Sequence, residues 1–163
     1  MKFIHYSNKI IEKLEDRPYE EKGRELYGKP SGFWFSVEGE DCVFNWREWC
    51  EGENFRVEHL KFPHEIILNE DAKIINLKTH QDILDFTKKY PYLRDQWNDA
   101  SGRRLCKTYE LDWSKVKQEY QGIIISPYQW ECRLNSECDW YYTWDCSSGC
   151  IWDMSCIKEF NLL

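Results

Sequence analysis

Residues 122–128 read GIIISPY, three isoleucines held between a glycine and a proline. β-Branched side chains are stiff at χ1 and suit a pleated surface, while Gly and Pro punctuate the run, so it predicts one short strand. The other apolar runs are as brief. KFIHYS (2–7) reads as a first strand; Pro30, Ser31 and Gly32 open FWFSV (33–37), and GED (39–41) closes it. FRVEHLKF (55–62) alternates apolar and polar residues, and EIILN and KIINLKT are two further runs across the turn NEDA (69–72). Helical spacing is confined to three stretches. NWREWCEGE (45–53) places Trp46, Trp49 and Cys50 on one face behind an Asn45 N-cap. THQDILDFTKKY (79–90) begins with Thr79 and Asp82 as a loose capping box, and LDWSKVKQEY starts a helix near Asp112. WYYTWDC (140–146) and CIWDMSCI (150–157) read as a hairpin turning at 147–149, with 12–28, 93–109 and 129–139 as connections. The sum is a single α+β domain over 1–163, built mostly of short antiparallel strands with a few helices.

Charge narrows the function classes. The net charge is −7, which opposes strong non-specific DNA binding, and the densest basic cluster, within 93–107, is small. No run approaches a membrane helix, and the leading residues hold no apolar stretch of signal-peptide length. The expectation is a cytoplasmic protein with no membrane partner, in its cell of origin or in a host cell. Eight cysteines are many for that setting, and disulfides are a poor default there. Only the 146–150 pair has near-knuckle spacing, and it lacks a matching second pair, so buried thiols are favoured over zinc and no metal is expected. Nine tryptophans read mainly as core, with a subset free to line a pocket for a flat ligand.

The signatures of P-loop, Rossmann, serine-hydrolase and zincin sites are all missing. Of four histidines, His59 and His64 are expected at the surface rather than on a metal, and His80 faces solvent in a helix first turn. His5 ends the first strand and is followed by Tyr6 and Ser7. The strand of aromatics that follows carries Gly32, Phe33, Trp34, Phe35 and Ser36. Acidic candidates come later, Asp145 within WYYTWDC and Glu131 within PYQWECR. Of the two, Asp145 is preferred, because a carboxylate among aromatics is costly to bury without a purpose.

The order HYS … GFWFS … WDC resembles the ADP-ribosyltransferase superfamily. The resemblance covers roughly the first and last 40 residues, and order and spacing carry it. It implies a split-sheet fold and NAD as cofactor. It places His5 on the ribose, with Tyr6, Ser7, Gly32, Phe33, Trp34 and Ser36 around the dinucleotide and Trp34 as the nicotinamide stack. Asp145 or Glu131 becomes the acid that supports nicotinamide departure. An Asp is a shorter reach than the Glu usual in that family. The implied activity is transfer to a macromolecular acceptor, protein or nucleic acid, as in a toxin or phage effector. Two other classes fit the composition: an acidic, non-catalytic interaction or inhibitor module, and a cysteine-based metal or redox domain led by Cys146 and Cys150.

Overall fold

The computed structural model describes residues 1–15, 28–40, 42, 44–93 and 109–163. Seven strands form one sheet: β1 (Lys2–Ser7), β2 (Phe33–Glu38), β3 (Phe62–Leu68), β4 (Ile74–Leu77), β7 (Gly122–Ile125), β8 (Ser148–Ile151) and β9 (Ile157–Leu162). Their order is β4-β7-β8-β2-β1-β3-β9, antiparallel throughout except for the parallel pair β4 and β7. A small ribbon pairs β5 (Pro91–Leu93) with β6 (Tyr109–Leu111). Among the described residues three helices, α1 (Trp46–Gly52), α2 (His80–Lys89) and α3 (Trp113–Glu119), accompany the sheet in an α+β domain. The expected mixed class and mostly antiparallel pairing are present. The split is not: the seven strands hydrogen-bond continuously.

Period-two alternation sorts the sheet's side chains into two cores. One face carries Ile123, Ile125 and Cys150, packed under Ile83 and Phe86 of α2 and Trp113 and Val116 of α3, with Trp140, Tyr141 and Trp144. The other carries Phe33, Phe35, Val37, Ile66, Ile124 and Ile151. The three isoleucines of β7 therefore serve both faces, which is why that run shows no polar alternation. All seven cysteines among the described residues are buried and unpaired. They pack as small apolar groups, and burial pushes the thiols of Cys50 and Cys156 up to about 11.

The helix starts follow their caps. Asn45 and Glu48 form a reciprocal capping box at α1, and Thr79 and Asp82 form a complete one at α2 despite the shorter acid. Asp112 accepts from the Lys115 N–H at the head of α3.

Two expected strands are absent. Residues 55–62 hold a 3-10 turn, Val57–Leu60, and the strand begins only at Phe62; the left-handed backbone of Asn54 and Arg56 breaks the extended path. Residues 140–146 are not the first arm of a hairpin. Ser136–Thr143 is a 3-10 segment whose rings Trp140 and Tyr141 fill the core. Residues 147–149 are not a turn either, because Ser148 and Gly149 pair on both sides with β2 and β7. Gly149 is needed there. A Cβ would overlap the Phe35 ring and lie 2.8 Å from the Ile123 carbonyl oxygen. Gly149→Ala is expected to cost about 1–3 kcal/mol of unfolding free energy in denaturant melts, the penalty of overpacking a filled core; an unchanged midpoint would contradict this packing.

Candidate functional site

Face selection on β1 and β2 builds the site. Ile4 pairs with Ser36, so Ile4 and Tyr6 share a face with Trp34 and Ser36, while Phe3 and His5 lie with Phe33 and Phe35 on the other. On the Trp34 side a cavity of about 470 Å³ opens, within the range of small-molecule sites. Strands β1 and β2 form its floor. Lys29, Asp145 and Cys146 form one part of its wall. Trp46 and Trp49 of α1, with Phe55, Arg56 and His59, form another.

Each wall is tied to the floor by backbone bonds. The Trp46 N–H donates to Ser36 Oγ at 3.2 Å, which sets the first turn of α1 against β2. The Ser147 N–H donates to the Phe44 carbonyl at 2.9 Å, and the Val37 N–H donates to the Ser147 carbonyl at 3.1 Å. These bonds hold the segment carrying Asp145 and Cys146 beside β2. Lys29 Nζ lies 3.3 Å from Asp145 Oδ2 and 5.4 Å from the centre of the Trp34 ring. Asp145 keeps about a quarter of its side chain exposed, so this is a carboxylate open to a ligand, paired with Lys29 and within electrostatic reach of Arg133. The Tyr6 hydroxyl donates to Glu38 Oε1 at 2.6 Å, under the Arg47 guanidinium. Burial and that carboxylate raise its pKa well above the phenol range, so Tyr6 remains a neutral donor. The Cys146 thiol is pushed up to about 12, mainly by burial, which removes the thiolate a redox or nucleophilic role needs. Burial raises Cys150 further in the same direction. Among the described residues no group of three His, Cys, Asp or Glu could hold a metal.

The cavity gathers Tyr6, Trp34, Ser36 and Asp145, all expected around one ligand. His5 borders it, but its ring is committed to the opposite face. The imidazole stacks on Phe33 at 4.3 Å, and Nδ1 donates to the Trp34 carbonyl at 2.8 Å. His5 is a positioning residue that fixes the backbone of Trp34, and the hydroxyl that borders the cavity from β1 belongs to Tyr6, with its proton donated to Glu38. Phe33 is likewise a core ring, stacked with His5 and edge-on to Phe160. Ser7 is buried, donating to the Lys9 carbonyl. Gly32 admits the neighbouring strand rather than a ligand, since a Cβ there would lie 2.6 Å from the Ile151 carbonyl oxygen. Glu131 is outside the cavity, four-fifths exposed and 3.2 Å from His80 Nδ1.

His64, expected at the surface, is fully buried. Its Nδ1 donates to the Phe62 carbonyl and its Nε2 accepts from the Ile11 N–H, with the ring flat on Phe160. The basic cluster at 94–107 and most of the 12–28 connection lie outside the described residues. Trp46 and Trp49 were visible as a helical face but carried no signal of facing a cavity. Phe55, Arg56 and His59 were hidden by the strand expected there.

The half-buried imidazole of His5 has a consequence for stability. Desolvation lowers its pKa below the ordinary value of about 6.5, against the opposing pull of the Trp34 carbonyl. In that window the unfolded chain binds a proton the folded chain refuses. Stability is therefore full above about pH 6.5 and falls as pH drops toward the folded value. Thermal melts at pH 7 and pH 5 are expected to show this loss, and His5→Gln to have a shallower slope. An equal slope in both proteins would remove His5 from the titration.

No protein-family model, no curated protein and no solved structure matches this chain.

Proposed function

We propose that the cavity binds a nicotinamide dinucleotide and that the protein transfers its ADP-ribosyl unit to a macromolecule, protein or nucleic acid. The observation that carries this reading is convergence. Residues from the first strand, the second strand and the segment before β8, separated by more than a hundred positions, meet around one space in the order the sequence resemblance implies. The ligand's parts also find suitable groups. Trp34 offers a ring face, Tyr6 a neutral hydroxyl, and Asp145 an open carboxylate.

When bound, the dinucleotide supplies a glycosidic bond whose electron pair leaves with nicotinamide, while the acceptor's nucleophile bonds to the ribose carbon and releases its proton. Cleavage of such a bond develops positive charge on the ribose. Asp145 is the group that counters it, prearranged in a partly dry site where a fixed carboxylate is worth most. Lys29 holds that carboxylate in place before the ligand arrives. Trp34, backed by Trp144 at 4.9 Å, keeps the leaving ring oriented and water away. His5 stiffens the strand beneath it.

The test separates binding from turnover. Calorimetry should show saturable NAD binding that survives Asp145→Asn within a few-fold, while nicotinamide release falls by roughly 10²–10³-fold, the loss typical of one electrostatic stabiliser. Trp34→Ala should weaken binding itself. Absence of NAD binding at millimolar concentration would end the transferase reading and favour a non-catalytic binding module.

A further inference from the structure

The wall made by α1, Phe55, Arg56 and His59 is chemically unlike the rest of the cavity. Trp46 and Trp49 stack at 5.1 Å with an interplanar angle of 15°, and Phe55 meets both edge-on. Directly after Phe55 comes Arg56, whose guanidinium lies 5.2 Å from the Phe55 ring centre. Among the described residues Arg56 forms no ion pair, whereas Lys29 is already matched by Asp145. His59 stands one turn further on, with only a 3.7 Å contact to Glu58. An unpaired cation on the rim of a concave site attracts an anion locally, against the opposing field of a chain of net charge −7.

The backbone is bent to deliver this side chain. Asn54 and Arg56 both have positive φ, 50° and 47°, a conformation that L residues rarely adopt and that Arg, unlike Asn, has no local hydrogen bond to favour. Three backbone bonds hold the bend: Glu53 N–H to the Trp49 carbonyl, Phe55 N–H to the Cys50 carbonyl, and His59 N–H to the Arg56 carbonyl. An unfavourable conformation that is fixed so firmly, at the edge of a cavity, is characteristic of a ligand clamp.

We infer that this wall is a subsite for a nucleoside diphosphate, with Arg56 and His59 on the phosphates and the Trp46–Trp49–Phe55 cluster against the base. Guanidinium matches phosphate geometry through paired donors, and aromatic rings accept any base by its π-face. The orientation rests on the transferase reading: with the nicotinamide end beside Trp34 and Asp145, the ADP end falls here. The subsite itself needs only Arg56, His59 and the rings.

The probes are ADP, adenosine and inorganic pyrophosphate, titrated calorimetrically into the wild type, Arg56→Ala and Trp49→Ala. ADP should bind at least tenfold more tightly than adenosine. Arg56→Ala should remove most of that margin while leaving adenosine within twofold, and Trp49→Ala should weaken ADP and adenosine together but not pyrophosphate. Thermal melts of the exposed Arg56→Ala variant should match wild type, which separates lost binding from lost folding. The inference is overturned if ADP binds no better than adenosine, if Arg56→Ala binds ADP normally, or if the wild type binds neither. Intact ADP binding without nicotinamide release would uphold the subsite and refute the transferase. Nicotinamide release with an Arg56-independent ADP affinity would do the reverse.

Discussion

Strand β2 is hydrogen-bonded on both sides, to β1 and to β8, and everything functional hangs from that double pairing. Because the strand is buried and paired along both edges, its register cannot slip without turning the core face outward. The same constraint that buries Phe33, Phe35 and Val37 therefore fixes Trp34 and Ser36 on the opposite side. Core and site are two faces of one pleat. The first glycine-dependent contact, Gly32 against β8, and the second, Gly149 against Phe35, let β2 and β8 approach closely enough for this to hold.

Much of the fold could be read from local chemistry. β7 was legible because three β-branched residues sat between Gly and Pro, and the three helices because their caps and their apolar spacing agreed. The misreadings share one cause. FRVEHLKF alternates as a strand should, yet the chain turns left-handed at Asn54 and Arg56 and spends the segment on a 3-10 turn. WYYTWDC has strand propensity throughout, but Trp140 and Tyr141 gain more from filling the core under α2, where the Trp140 indole donates to Thr87, than from an extended ladder. Local preference lost to packing in both places.

The site was legible in part for a similar reason. Asp145 stood out as a carboxylate among aromatics, and it does border the cavity. His5 and Trp34 were assigned to one ligand because they are motif neighbours, but alternation sends their rings to opposite faces. Sequence order identifies which strands meet, whereas the parity of each residue decides which side chain arrives. The α1 wall was out of reach altogether, since nothing in residues 45–59 says which surface the helix will face.

That wall and the floor are joined at Ser36, whose hydroxyl oxygen takes the Trp46 N–H. One residue of β2 thus sets the spacing between the Trp34 ring and the stacked indoles of α1. The gauge of the cavity is thereby tied to the register of β2. Under the proposed function, a ligand that touches both ends would have to match that spacing, which makes the register of β2 a determinant of ligand length.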